Sequence, residues 1–511
     1  MHSRFPYHPL LAAIAPVALL LSANIADATV GAALRPALVL AGAAAAAWLL
    51  LALPMRSLHR SAAVTTTLLV FAAVFAPLLQ HIPHPVLVGW PILITPRRIF
   101  ALVYAAALVA AIVAIIRARE PRRLTGTMNL VLACIVVVPV LNIAIAGSRA
   151  PRANPSAVMP VPDDMHPRQD LPDIYYIIPD SYARADVLRD LYGWDNSGFL
   201  DELRAMGFHI CERSRANYPR SALSLSSSLN MCYLDQVAER VGDIRSYAPL
   251  QRLLLSNAVM AHLDAAGYTT VAYPTGYAFT EITTADRYSP AGLSEFEWVL
   301  YSALAEPIVR TSVYAPEQDF ADRIVRTFDS LGQHRREEPP VFVFAHIVAL
   351  HPPFVLDEHG NPVDASLPDG RDLTGLKAGY PTDTYRRLYV AQLQFVNDRL
   401  IAAVRRILSN SDRPCIIVIQ SDHGPDSLLR RGHPEDTNMT ERMGILNAYY
   451  VPEEIEASLR EDISPVNSFR LILNYCLGTD YPLLEDRAYF STYEHPYVLM
   501  DVTGRVAGAS E

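Results

Sequence analysis

The run Cys415-Ile416-Ile417-Val418-Ile419-Gln420-Ser421-Asp422-His423-Gly424-Pro425 decides the fold. Four β-branched apolar residues in a row, Ile416–Ile419, read as a short strand buried on both faces. The polar residues that follow, with Gly424 and Pro425, read as a turn. Two other stretches have the same shape: Ile174–Ile178 before Pro179-Asp180, and Val341–Phe344 before His346. Between them lie helical patterns such as Tyr389–Leu408. Buried strands alternating with helices predict an α/β domain, its mostly parallel sheet covered by helices on both faces. In such sheets the reactive residues gather beyond the carboxyl ends of the strands.

All three strand ends carry chemistry. Asp422 and His423 can reach one cation together if the backbone turns at Gly424, and an oxygen with a nitrogen ligand suits zinc or manganese. The alternative is a strand-end Asp capping the next turn beside a bystander histidine. Asp180 has its own simple reading as the N-cap of a helix over Ser181–Leu191. A third element is Asn217-Tyr218-Pro219-Arg220-Ser221, followed by a serine-rich stretch with Ala222, Leu225 and Leu229 at helical spacing. Pro219 suits a helix start. Ser221 then sits where backbone N–H groups and the helix dipole favour an anion. A hydroxyl there, bound to a metal, would lose its proton more readily and attack phosphorus. An N-cap serine is the plainer reading. Histidines complete the set: His346 and His351 beyond the second strand, and His433 ten residues after His423.

Outward from this core the composition splits. Residues 1–150 hold eleven Arg, no Lys and two acids, about +9 in charge, and the remaining 361 residues are about −18. An acidic second half speaks against nucleic acid as a partner. Five apolar stretches, near 9–27, 33–54, 62–79, 99–116 and 127–146, each approach the ~20 residues a membrane-crossing helix needs. Pro83–Ile94 is apolar but broken by prolines, which predicts a loop. Residues 1–150 therefore read as a five-helix transmembrane domain. With the N-terminus in the cytoplasm, Arg4, Arg56, Arg60, Arg117, Arg119, Arg122 and Arg123 lie inside. Arg35, Arg97, Arg98, Arg149 and Arg152 lie outside, as the positive-inside rule favours. Everything after residue 147 is then extracytoplasmic. Residues 151–171, with five prolines, predict an extended tether, and 172–511 the catalytic domain. Four cysteines of that domain, Cys211, Cys232, Cys415 and Cys476, allow up to two disulfides in an oxidising compartment or remain free thiols.

The order Asp180, Ser221 at a helix start, His351-Pro352-Pro353 and Asp422-His423-Gly424 resembles the sulfatase-like branch of the alkaline phosphatase superfamily. In layout the chain resembles the lipoteichoic acid synthases and lipid A phosphoethanolamine transferases, which have five spans, a tether and an extracytoplasmic domain. The resemblance implies that Asp180, Ser221, Asp422 and His423 ligate one divalent metal: zinc or manganese first, magnesium or calcium as alternatives. It implies Ser221 as the nucleophile of a covalent intermediate. His351 and His433 would hold the substrate's anionic oxygens or act as general acid. The transferases usually have Thr at the nucleophile and often Glu at the first ligand. The paired aspartates of bimetallic relatives are missing, since Ser181 and Tyr182 follow Asp180. Arylsulfatases instead use a formylglycine made in a Cys/Ser-x-Pro/Ala-x-Arg motif, and Cys211-Glu212-Arg213-Ser214-Arg215 fails it at the third position.

The expected protein is a multi-pass enzyme of the bacterial inner membrane with a periplasmic catalytic domain. Its substrate would be a lipid of the bilayer or an envelope glycan. A sulfatase, or a catalytically silent membrane sensor, are the competing readings. The sequence leaves no mark of donor, acceptor or oligomeric state.

Overall fold

The computed structural model describes residues 5–25, 28, 30–82, 96–149, 159–289, 292–294, 296–297, 299–301, 304, 316–333, 339–363, 380–411, 413–430 and 432–507. The predicted loop at 83–94 lies outside the described residues, as do the start of the tether (151–158), Arg4 and Arg152. The chain divides into two compact units, 1–150 with 293–315, and 151–292 with 316–511.

The first unit is helical: α1 (His8–Ala23), α2 (Val30–Met55), α3 (Leu58–Gln80), α4 (Pro96–Arg117) and α5 (Pro121–Arg149). Four of these, α2 to α5, are long and apolar enough to cross a membrane. At 16 residues α1 is shorter than expected. At ~1.5 Å per residue it spans roughly 24 Å, less than the ~30 Å hydrocarbon core. The chain leaves the helix at Asn24, whose N–H donates to the carbonyls of Leu20 and Leu21. It is nevertheless well buried through Ala12, Ala13, Ala15, Val17, Ala18 and Leu21. Small residues of this kind let helices approach closely, and that drives association in lipid. A stretch from the far side of the sequence joins this unit. Phe296 and Leu300 are buried with Val17, Leu21 and Ala33. Between them Glu297, 2% exposed, pairs with Arg35 of α2.

The second unit is built on a seven-stranded sheet. Its strands are β1 (Asp173–Pro179), β2 (His209–Ile210), β3 (Thr269–Ala272), β4 (Arg287–Tyr288), β5 (Val341–Ile347), β6 (Cys415–Gln420) and β7 (Asn447–Tyr450). They lie in the order β2-β7-β6-β1-β5-β3-β4. From β6 to β4 all neighbours are parallel, and β7 and β2 add an antiparallel edge. The three predicted strands are thus adjacent, with β1 between β6 and β5. Successive residues of β1 enter different cores: Tyr175 and Ile177 one, Ile174, Tyr176 and Ile178 the other. That is why the strand is apolar throughout and does not alternate.

Four helices matter for the site. The serine-rich α6 spans Ser221–Ser228, and α7 spans Thr382–Asn410. The short α8 is Met439–Met443, and α9 is Pro465–Leu477. The first core holds Tyr389, Leu393, Val396 and Leu400 of α7, and the second holds Phe469, Ile472 and Leu473 of α9. Both faces are covered. All five cysteines are free, so the alternative of disulfides is not realised. Burial pushes the Cys415 thiol up to about 11 and those of Cys232 and Cys476 up to about 12.

Candidate active site

Register brings the strand ends together. Ile178 of β1 pairs with His346 of β5, and Ile177 pairs with Ile419 of β6. Asp180, His346 and the Asp422-His423 pair therefore emerge side by side at one end of the sheet. All four are buried.

Asp422 is held by its backbone neighbours. The N–H groups of Ser181 and His423 donate to its Oδ1, at 3.2 and 3.0 Å. That leaves Oδ2 buried with no hydrogen-bond partner among the described residues. His346 shows the same pattern. Its Nδ1 lies 3.1 Å from Thr280 Oγ1, while Nε2 has no hydrogen-bond partner among the described residues. Nε2 is 3.4 Å from Asp180 Oδ2 and 3.7 Å from Asp422 Oδ2. One donor atom each from Asp180, His346 and Asp422 lie within 4.8 Å of one another. His423 adds a fourth. Its Nδ1 donates to the Gly424 carbonyl at 3.0 Å, which turns the Nε2 lone pair inward. That nitrogen is 3.4 Å from Asp422 Oδ2 and 4.0 Å from Asp180 Oδ1. Orphaned buried acceptors converging on one point fit a divalent cation and are costly without one.

Electrostatics agree with that chemistry. Burial alone would raise Asp180. The nearby His346 ring and the charges of His423 and His351 outweigh it and hold the carboxyl well below the usual range. Burial, then the neighbouring Arg442, lowers His423 and so favours its neutral form. His346 is raised, because Asp180 and Asp422 outweigh its desolvation.

Ser221 is the first residue of α6, and no side chain caps that helix start. Its Oγ is 3.2 Å from His423 Nε2. Ser221, Asp180, His423 and His351 line a single cavity with Arg220 and Arg442. Asp180, Ser221, Asp422 and His423, the four residues expected as ligands, are thus brought together.

Several expectations change. Asp180 caps no helix: the next one begins at Ala185 with Arg184 as N-cap, and Ser181 takes a positive φ of 61° in the turn. Its carboxylate is turned to the cluster. His433 is not brought to the cavity. It is exposed and lies 3.1 Å from Glu435 Oε1, because the polar loop after Gly424 leads it to the surface. His351 does line the cavity, with Nδ1 2.7 Å from the Pro352 carbonyl. The sequence presents His346 only as a strand-end histidine, and its spacing does not rank it above His351. The available signal was position within the apolar run, where a histidine must be satisfied inside the sheet. Arg442 had no signal at all. Cys211 is buried, raised by desolvation, and lines no part of the cavity.

Similarity to known proteins falls on this domain. No curated protein matches the sequence. Among solved structures, the C-terminal periplasmic domain of EcEptC from Escherichia coli, in complex with Zn, is 11% identical with a TM-score of 0.44, covering 66% of this chain and 95% of that one. The soluble domain of lipooligosaccharide phosphoethanolamine transferase A from Neisseria meningitidis is 13% identical, with a TM-score of 0.38, covering 60% and 88%. BT1596, a 2-O GAG sulfatase, is 15% identical, with a TM-score of 0.37, covering 63% and 73%. The family model named Sulfatase matches residues 172–467, from the first strand of the sheet to the start of α9 and across every residue of the buried cluster. With more than half of its length matched, the chain belongs to the sulfatase family.

Proposed function

We propose that this protein is a membrane-anchored, metal-dependent phosphoester transferase or hydrolase that works through a covalent intermediate on Ser221. Its substrate would be a lipid-linked or envelope-glycan ester on the periplasmic side of a bacterial inner membrane. One observation carries the reading: Ser221 Oγ stands at an uncapped helix start, 3.2 Å from His423, beside a buried cluster with orphaned ligand atoms. Asp180, Asp422 and His423, joined by Ser221 and by His346 at the strand end, would hold one divalent metal. Bound there, the metal supplies Lewis acidity that lowers the serine hydroxyl's pKa and draws charge from the ester oxygens. The start of α6 receives the ester's anionic oxygens. The Ser221 hydroxyl gives up its proton to solvent in the cavity, and the Oγ–P bond forms as the bond from phosphorus to the leaving alcohol breaks. His351, which lines the cavity, would give that alcohol its proton. Attack by an acceptor alcohol or by water then frees Ser221, and the nature of that attacker separates a transferase from a hydrolase.

A sulfatase is the second reading. Against it, the formylglycine motif needs Pro or Ala and then Arg at the second and fourth positions after the modified residue, and here Leu223 and Leu225 stand there. An unmodified hydroxyl suits phosphorus. The test is Ser221→Ala and Cys211→Ser in the full-length protein, on bis(p-nitrophenyl) phosphate and p-nitrophenyl sulfate. Ser221→Ala should lose phosphodiester turnover by at least about 10³-fold and lose the covalent adduct seen by mass spectrometry. Cys211→Ser should be nearly neutral. An active Ser221→Ala, or turnover of the sulfate alone, would overturn the reading.

A further inference from the structure

We propose that Arg442 is a positioning residue, whose guanidinium holds the turn carrying Ser221 against the turn carrying His423 and so sets the gap between nucleophile and metal site. The inference rests on Ser221 being the nucleophile. Arg442 lies in α8 and is 6% exposed. Its Nε and Nη2 donate to the Pro219 carbonyl at 2.8 and 2.5 Å, two residues before Ser221. Its Nη1 donates to the Gly424 carbonyl at 2.7 Å, one residue after His423. That same carbonyl receives His423 Nδ1–H, so one oxygen fixes both the imidazole and the guanidinium. The backbone closes the joint: Gly424 N–H donates to the Arg442 carbonyl at 2.8 Å, and Ala216 N–H to the Met443 carbonyl at 2.7 Å.

Among the described residues no carboxylate lies within ion-pair distance of Arg442, and burial lowers it although the charges of Asp426, Asp422 and Asp180 pull the other way. Burying such a cation is costly, and an apolar side chain would fill the space more cheaply. What the guanidinium adds is a planar fork that joins two carbonyls from two separate turns. A lysine ammonium has no such fork. The two turns are more than 200 residues apart in sequence, so no local geometry sets their spacing. A shift of about 1 Å between reacting groups costs about 10²-fold in rate.

The experiment uses the full-length protein with zinc, assayed on bis(p-nitrophenyl) phosphate. Arg442→Lys should lower kcat by about 10²-fold while KM stays within about threefold, the pattern of lost transition-state geometry. Zinc content by elemental analysis should match wild type, and the Ser221 adduct should accumulate more slowly. Added methylguanidinium should restore Arg442→Ala at least about tenfold and leave Ser221→Ala inactive. A KM raised tenfold with kcat unchanged would make Arg442 a substrate-binding residue and overturn the proposal. So would wild-type kcat in Arg442→Lys, or zinc lost in proportion to activity. Should Arg442→Ala fail to fold, Arg442→Lys alone decides through the kcat–KM split and zinc content. Activity in Ser221→Ala would instead sink the nucleophile assignment itself, whatever Arg442 does.

Discussion

Gly424 shows how one residue joins chemistry to packing. Its φ is not in the left-handed region, so conformational freedom is not what the position needs. What it needs is space, because a Cβ there would stand 2.0 Å from the Glu441 carbonyl oxygen. The turn after β6 and the helix α8 touch backbone to backbone at this point. Gly424→Ala must therefore push α8 away, and Arg442 with it. Overpacking of this kind costs about 1–3 kcal/mol, and the expected result is a lowered Tm with loss of phosphodiester turnover. Wild-type Tm and turnover in Gly424→Ala would show that these backbones are not in contact. The residue was legible as a turn marker in Asp-His-Gly-Pro, but the reason for it was not, since Glu441 is remote in sequence.

The two histidines at the strand ends are oppositely tuned, although both are buried. Burial, then Arg442, takes His423 below its ordinary 6.5. In that range the unfolded chain binds more protons, so this contribution to stability is fully present above about pH 6.5 and is lost as pH falls. Burial also pulls on His346, but Asp180 and Asp422 raise it overall. Its contribution is present below about pH 6.5 and is lost as pH rises through the raised value. Metal-free protein should show this in Tm measured from pH 5 to 8.5. Relative to wild type, His423→Gln should decline less on the acid side and His346→Gln less on the alkaline side. Three parallel curves would show that neither ring titrates differently on folding. Both rings face Asp180 and Asp422, and what differs is that His423, on the turn after β6, also has the Arg442 guanidinium beside it.

For the molecule as a whole, the proposed orientation has the N-terminus in the cytoplasm and the chain after α5 in the periplasm. Among the Arg residues this places outside, Arg35 has its charge paired by buried Glu297. A buried carboxylate inside an apolar cluster is costly unless paired in this way. A reporter that works only in the periplasm, fused after Glu511, should be active. Activity of a cytoplasm-only reporter at that site would reverse the orientation. The bundle also carries a stretch, 293–315, that comes from within the sequence of the second domain. Nothing local in that stretch announces it, because Phe296 and Leu300 at helical spacing read equally well as part of an ordinary amphipathic segment.

The sequence by itself determined the α/β class, the apolar first block and the three strand ends that carry Asp180, His346 and Asp422-His423. These follow from local rules: β-branched runs are short enough to read as strands, and apolar stretches near twenty residues read as spans. Ser221 at a helix start was legible for the same reason, from Pro219 and the spacing of Ala222, Leu225 and Leu229. Tertiary structure alone decided which histidines join the cluster. It placed His346 inside and left His433 on the surface, because a side chain's surroundings depend on which strands become neighbours. It also set Gly424 against the Glu441 carbonyl, joined Arg442 to Pro219 across more than 200 residues, and shortened α1 below a full span. Contacts between distant segments arise from packing, and no window of sequence contains both sides of them.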